Sequence, residues 1–307
     1  MKKSLLLLLV FSVSLLVLSC HNQPSKDTQT ILTGRLRVLV DESLLPIMEE
    51  QVDVFEHIYD YAEVELIGGP ENQVVNRLFN RDAEVIVLTR EFTERERKFF
   101  EAREFRPRIA RFATDAVALI ANRNYPDSTV TVDDIVSILR GDSPSVRSAR
   151  LVFDNPNSST VRFLKDLAGV DSLPKAGVYA VKSNSEVLKH VYETPHSIGV
   201  LGVNWVVRPS SDLQPYASGV KVLAVKGLKG KVGSDGYYKP TQSNLAEGGY
   251  PLSRPVYLIN CEPRRGLGMG FSAFLTGLSG QRIILKSGLM PDSLPPREII
   301  IRKEIKR

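Results

Sequence analysis

The chain has 307 residues, of which 43% are hydrophobic and 24% charged, and its formal net charge is +5. This length suits one large or two medium domains, and ordinary hydrophobic content with a small net charge excludes global disorder. The basic residues do not form the concentrated stripe that is typical of nucleic-acid-binding proteins. We therefore expect no nucleic-acid partner.

The N-terminus has the pattern of a targeting segment. Lys2 and Lys3 precede an uncharged apolar run at 5–18, which is shorter than the ~20 residues of a membrane-spanning helix. The run ends in VLSC, which resembles the lipobox of bacterial lipoproteins. We expect 1–19 to be removed and Cys20 to be lipidated, with 20–34 as a tether. An ordinary signal peptide or a membrane anchor is the alternative.

The next part of the chain alternates strand and helix patterns. Strands are predicted at 35–40, 62–67 and 84–89, and helices from about Pro46, around 74–79 and at 93–103. Thr93 and Glu96 form a capping box for the third helix. This order favours a parallel or mostly parallel sheet covered by helices.

The remainder repeats this kind of pattern. Strands are predicted at 115–122, 151–153, 197–201, 256–259 and 297–301, and helices at 131–140, 158–168, 183–193, 271–278 and 281–287. Loops with short strands are expected at 209–249. Two α/β lobes of similar size fit better than one long sheet. Lobe 1 is predicted at 35–112 plus 253–307, and lobe 2 at 113–252.

Hydroxyl and amide side chains follow several predicted strands where a helix begins. The clearest group is Asn157, Ser158, Ser159 and Thr160. The first turn of a helix has free N–H groups that bind oxyanions, although the same residue types are also common helix caps. Ser43 occupies a second such turn and Arg90 a third. Because ligands bind at the carboxyl ends of strands in α/β sheets, these turns predict one cleft.

Catalytic and metal-binding patterns are weak. Ser158, His196 and Asp154 are the residue types of a hydrolase triad, but no GxSxG motif surrounds any serine. No metal-ligand spacing is present, and we expect neither an enzyme nor a cofactor. The glycine-rich 266–270 lacks the ending of a phosphate-binding loop, so a flexible turn is expected there. The preceding Arg264 and Arg265 are interpreted as a solvated face.

Several longer stretches resemble, in order, the PstS-like phosphate-binding proteins of bacterial phosphate ABC transporters. These stretches are IARFATDAVALIAN at 109–122, TVDDIVSILRG at 131–141, NSST at 157–160, HSIGVLG at 196–202 and YPLSRPVY at 250–257. The resemblance covers nearly all of the chain from about residue 35 to 301. It implies a two-lobed, type 2 periplasmic-binding-protein fold with mixed, mostly parallel sheets and a ligand cleft between the lobes.

The resemblance also implies a function and a site. The protein is expected to capture phosphate or a related oxyanion for the membrane subunits of an ABC transporter, anchored by lipid to a membrane facing the periplasm or the cell exterior. The implied ligand-binding residues are Ser43, Leu44, Thr89, Arg90, Asn157, Ser158, Ser159 and Thr160. Arg90 would be the charged partner, and hinges are expected near 112–114 and 253–255.

Three acidic residues depart from the family's pattern. Asp154 stands where the family often has an arginine, and Asp41 and Glu42 stand where small hydroxyl residues are common. If all three face the cleft, they would repel a dianion strongly in a low-dielectric site. The alternative function is therefore a binding-protein fold that acts as a sensor or surface interaction module without transport.

Overall fold

The computed structural model describes residues 28–142 and 149–293. The strands are β1 (Gly34–Asp41), β2 (Ala62–Gly69), β3 (Val85–Leu88), β4 (Arg108–Asn122), β5 (Thr129–Thr131), β6 (Arg150–Phe153), β7 (Val178–Ala180), β8 (Ser197–Gly202), β9 (Val220–Val222), β10 (Ala224–Lys226), β11 (Ser253–Asn260) and β12 (Met290–Pro291).

The helices account for most of the remaining described chain. They are α1 (Leu45–Ile58), α2 (Glu71–Phe79), α3 (Glu94–Glu101), α4 (Val132–Arg140), α5 (Ser159–Ala168), α6 (Asn184–Glu193), α7 (Asn204–Val207), α8 (Gln214–Ser218), α9 (Gln242–Ala246), α10 (Leu267–Thr276) and α11 (Leu278–Lys286), and a 3₁₀ turn at Glu42–Leu44 precedes α1. None of the helices in the described part is long and apolar enough to cross a membrane.

One mixed sheet of ten strands forms the centre of the molecule. Its order is β2-β1-β3-β11-β4-β8-β6-β7, with β12 and β9 paired to β4. The pairs of β1 with β2 and β3 are parallel, as are those of β6 with β7 and β8. The pairs of β4 with β11 and β8 are antiparallel. Parallel pairing therefore occupies the outer parts of the sheet and antiparallel pairing its middle.

The long strand β4 connects the two halves of this sheet. Its residues 108–116 pair with β11, and 117–121 pair with β8. We call the part from β2 to β11 the first half, the part from β8 to β7 the second half, and the place where Asp115 of β4 pairs with Arg254 of β11 the junction. The predicted hinges lie on these two strands. The predicted lobe boundaries stay a prediction.

Both faces of the sheet are covered, as the sequence of β4 indicates. Residues 116–121 of β4 are apolar and fully buried, which is typical of a strand with helices on both faces. On one face, α1 buries Phe55, whose ring lies 5.1 Å from that of Phe271 on α10.

The glycine-rich stretch 266–270 differs from expectation. A flexible turn is predicted there, but residues from Leu267 onward form the start of α10. A Cβ added at Gly270 would lie 1.7 Å from the carbonyl oxygen of Ile31, and one at Gly268 would lie 2.7 Å from Val85. Close packing, rather than a turn, therefore requires these glycines. Their low helix propensity concealed the first turn of the helix.

The region 209–249 shows a smaller difference between the predicted and the observed elements. The predicted loop region 209–249 contains the expected short strands β9 and β10, but also the unpredicted helices α8 and α9. The predicted strand at 297–301 and the predicted lipidation site Cys20 lie outside the described residues.

Candidate functional site

Two serines from opposite halves of the sheet meet at the junction. Ser43 lies in the 3₁₀ turn that follows β1, and Ser159 is the first residue of α5, soon after β6. Their Oγ atoms are 3.3 Å apart, and both residues are fully buried. Each lies where a strand ends and a helix begins, so backbone N–H groups without helical partners surround the pair.

Arg254 of β11 joins the two serines. Its Nη1 donates a hydrogen bond to Ser159 Oγ at 2.9 Å, and its Nη2 donates one to Ser43 Oγ at 2.9 Å. Its Nε donates to Asp115 Oδ2 at 2.8 Å, and the Arg254 side chain is only 1% exposed. Each serine oxygen thus accepts from the guanidinium, and one of the two hydroxyls also donates to the other across their 3.3 Å contact.

Neither Arg254 nor Asp115 is among the site residues expected from the sequence. A signal was present, because Arg254 interrupts an otherwise apolar strand pattern in YPLSRPVY. A charged residue in a buried strand needs an oppositely charged partner. Its partner Asp115 lies 139 positions away, so the sequence alone does not indicate the pairing.

Buried carboxylates of the chain itself use several of the donors expected for a ligand. Asp41 Oδ1 accepts from the backbone N–H of Ser43 at 3.0 Å. Asp154 Oδ1 accepts from Thr160 Oγ1 at 3.2 Å, and its Oδ2 accepts from Asn184 Nδ2 at 3.2 Å. Burial raises the pKa of both carboxyl groups above their ordinary values, although Arg254 opposes the rise at Asp41.

Glu42 completes this acidic group and reaches across the junction. Its Oε1 accepts a hydrogen bond from Asn155 Nδ2 in the second half. Burial, together with the negative charges of Asp154 and Asp41, raises the pKa of Glu42 to about 7. The three acidic departures from the family's pattern thus lie together, next to the serines.

The residues of the turn at 157–160 differ in their burial at the junction. Ser158 caps α5 by accepting from Val161 N at 3.3 Å, and its Oγ lies 2.9 Å from Thr160 Oγ1. Both hydroxyls are buried, whereas Asn157 is exposed. Leu44 of the first turn has a fully buried apolar side chain, so only its backbone could face a ligand.

Thr89 and Arg90 belong to an ion-pair network beside the junction. Arg90 donates to Glu71 Oε1 and to Glu96 Oε2, both at 2.7 Å. Arg162 of α5 also donates to Glu71 Oε1, at 2.8 Å, and to Thr89 Oγ1 at 3.3 Å. The hydrogen bonds described for Arg90 stay within this network and its adjacent backbone. Its role as the ligand's charged partner stays a prediction.

Two buried amides near the junction have unused hydrogen-bonding atoms. Asn184 Oδ1 and both side-chain polar atoms of Asn204 have no hydrogen-bond partner among the described protein atoms. Asn204 follows Gly202, where an added Cβ would lie 3.3 Å from the carbonyl oxygen of Ser43. Buried polar groups without protein partners are typical of places where a ligand or water binds.

The triad interpretation receives no support from the geometry. The described hydrogen bonds of Ser158 and Asp154 do not include His196, which instead lines a separate groove with Arg150 and Tyr179. Within 28–142 and 149–293, no group of three or more His, Cys, Asp or Glu side chains could hold a metal ion.

Comparison with known proteins adds a family and a fold. A family model for PBP superfamily domains matches residues 24–278. The phosphate-binding protein PstS of Borreliella burgdorferi is 24% identical over 306 residues, which cover 94% of this chain and 99% of that protein.

Two solved structures have the same fold. A candidate phosphate ABC transporter substrate-binding protein of Clostridium perfringens, with bound phosphate, matches with a TM-score of 0.69 and 18% identity over 85% of this chain and 100% of that one. An ABC-type phosphate transport receptor of Vibrio cholerae matches with a TM-score of 0.62 and 19% identity over 84% of this chain and 100% of that one. The expected mixed α/β fold of type 2 binding proteins is thereby confirmed.

Proposed function

This chain belongs to the PBP superfamily, and on that premise we propose that it captures phosphate or a related oxyanion at the junction for an ABC transporter. Membership of a family of solute-binding proteins confirms the expectation that the protein is not an enzyme. The observation that carries the proposal is the contact of one buried guanidinium, Arg254, with Ser43 of one half and Ser159 of the other.

The proposed binding follows from the chemistry of these groups. Arg254 supplies positive charge in a buried place, where electrostatic attraction is stronger than at the surface. An anion that replaces the contact between the hydroxyls of Ser43 and Ser159 would accept hydrogen bonds from them, and the starts of two helices supply N–H groups. Local recognition is needed because a net charge of +5 on 307 residues attracts anions only weakly at long range.

The acidic side chains favour a second candidate function. Asp154 and Asp41 already accept hydrogen bonds from Thr160 and from the amide of Ser43. A domain whose own carboxylates use these donors could act as a sensor or surface interaction module without capturing a free anion. A free anion can bind to these donors only if it displaces the carboxylates or if the carboxylates are protonated.

A thermal-shift screen of the purified protein with phosphate, sulfate and molybdate separates the two functions. An anion at ~100 times its dissociation constant adds ~2.7 kcal/mol of stability, which is readily detected. Stabilisation by phosphate, followed by heat of binding in calorimetry, supports capture. A folded protein that none of these anions stabilises supports the second function.

The proposed location in the cell envelope depends on Cys20. Mass spectrometry of the protein from bacterial membranes should find Cys20 as the modified N-terminus. The Cys20→Ser protein should lack the modification and leave the membrane fraction. An unmodified Cys20 in the membrane-bound protein would contradict the lipid anchor.

A further inference from the structure

A groove rich in arginine lies where the described chain begins. Its volume is about 560 Å³, and its walls include Arg35, Arg37, Arg81, Arg264 and Arg265. Gln29 also lines it and donates from Nε2 to the carbonyl oxygen of Arg35 at 3.2 Å. The first described residues therefore pass directly along this groove.

Most of the groove's positive charge is available to a partner. Arg81, Arg264 and Arg265 are exposed and form no ion pair with another described residue. Arg35 and Arg37 pair with glutamates on β2, but both pairs are exposed. Exposed pairs of this kind are weak and exchange readily with other partners.

The acidic residues on the walls do not cancel this charge. With Arg35 and Arg37 paired to glutamates on β2, the unpaired Arg81, Arg264 and Arg265 face three acidic residues on the walls, Asp82, Glu84 and Glu262. Asp82 is paired with Arg77, and Glu262 is buried and accepts hydrogen bonds from Gly268 N and Asn260 Nδ2. The groove therefore presents a net positive surface of guanidinium groups, whose planar forks match the oxygens of phosphate groups.

The groove also lies close to the expected membrane anchor. Only seven residues, 21–27, lie between Cys20 and the described chain, and the distance from Cys20 to Thr28 is at most ~28 Å when this segment is fully extended. Arg35 and Arg37 lie at the start of β1, whereas Ser43 follows its end. A membrane at the groove would thus leave the junction on the far side of the first half.

We propose that the arginine groove binds the headgroup phosphates of anionic phospholipids in the membrane that carries the protein. The inference rests on the proposed envelope location, but not on the identity of the anion at the junction. Each arginine close to an anionic membrane surface strengthens binding about fivefold. The groove would add an electrostatic contact with the membrane surface to the lipid anchor expected at Cys20.

The test measures vesicle binding by the chain from residue 20 with Cys20→Ser, which retains every described residue and needs no lipid. Co-sedimentation should show binding to vesicles of equal parts phosphatidylglycerol and phosphatidylcholine, but not to phosphatidylcholine alone. Binding should weaken between about 0.1 M and about 1 M salt, since salt screens exposed charges. The triple variant Arg81→Gln/Arg264→Gln/Arg265→Gln should bind the anionic vesicles roughly 100-fold more weakly.

A matched control makes the same change in net charge elsewhere. Lys175, Lys229 and Lys231 are exposed in the part of the chain between β6 and β11, so their triple replacement by Gln should leave vesicle binding nearly unchanged. Equal weakening in both variants would show that only bulk charge matters and would overturn the proposal. Full binding by the arginine variant would overturn it too.

Two further measurements complete the test. One distinguishes binding of a membrane headgroup from binding of free phosphate, and the other distinguishes the loss of positive charge in the variant from a loss of folding. Millimolar inorganic phosphate should not release the protein from anionic vesicles, and release would mean that the groove is a site for free phosphate rather than for a membrane. The arginine variant should keep the parent's melting temperature and its calorimetric response to phosphate. A failure of the proposal for the groove can therefore be distinguished from a failure of the proposed anion binding at the junction.

Discussion

Arg254 is the side chain on which the proposed site depends most. It is buried with its charge partner Asp115 and bridges serines from both halves. Removing one member of a buried ion pair leaves an uncompensated charge, which costs ~3–5 kcal/mol. Arg254→Gln should therefore lower the free energy of unfolding in urea by about that amount.

The matched double variant tests the cause of this loss. Asp115→Asn combined with Arg254→Gln removes both members of the ion pair, so it should be less destabilised than Arg254→Gln alone. If the loss of stability in the double variant instead equals the sum of the losses in Asp115→Asn and in Arg254→Gln, the two residues act independently.

The buried hydroxyls of the α5 turn make a second prediction at this scale. Ser158→Ala with Thr160→Ala should weaken phosphate binding at least ~10-fold in calorimetry, because each hydrogen bond to a charged group contributes ~1.5–3 kcal/mol. Thr131→Ala is the control, since Thr131 caps α4 in the same way, away from the junction. Unchanged affinity in the double variant would refute the site assignment.

Among the elements, the 3₁₀ turn at Glu42–Leu44 and the loop after β6 bring carboxyl groups together and create a dependence on pH. The pKa of Glu42 is raised from 4.5 to about 7, so the folded state favours its protonated form. The stability that this provides is full below pH 4.5 and is lost as the pH rises through about 7. Partial solvent screening limits the effect to on the order of 1 kcal/mol.

Glu42→Gln isolates this contribution. The free energy of unfolding in urea is measured at pH 5 and at pH 8. It should fall less from pH 5 to pH 8 in the variant than in the parent, because Gln does not titrate. Anion binding by the parent should also weaken above about pH 7, as the negative charge at the junction increases. An identical pH dependence in parent and variant would contradict the role of Glu42.

Across the whole molecule, the two halves are held together by ion pairs of different burial. Arg162 of α5 contacts Glu71 of α2, whose side chain is 4% exposed. Arg208, which follows α7, contacts Glu50 of α1 at 3.4 Å, and both side chains are well exposed. Burial predicts that only the first of these pairs contributes strongly to stability.

This contrast provides a matched pair of variants. Arg162→Gln should lower the free energy of unfolding by ~1–3 kcal/mol, since it leaves Glu71 with one cation fewer. Arg208→Gln should change it by less than ~1 kcal/mol, as for other exposed pairs. The measurement is urea unfolding, and equal effects of the two substitutions would show that burial does not decide the strength of these contacts.

The sequence by itself determined the order of the long strands and most of the long helices, and the turns that carry hydroxyl groups. Capping residues such as Thr93, Thr131 and Ser158 mark helix starts that the structure shows within one or two residues. These features could be predicted because periodicity and capping act over a few neighbouring positions. The same local signals placed Ser43 at the end of β1.

Only the tertiary structure decided how charge is arranged at the junction. Arg254 contacts Asp115, Ser43 and Ser159 across 95 to 211 positions, and Arg90 is engaged by glutamates instead. A polar residue just after a strand is a local signal in the sequence. This signal selected Arg90, which follows β3, and did not select Arg254, which lies within β11. Ion pairs depend on distance in space and on burial, which become defined only when remote segments of the chain pack together.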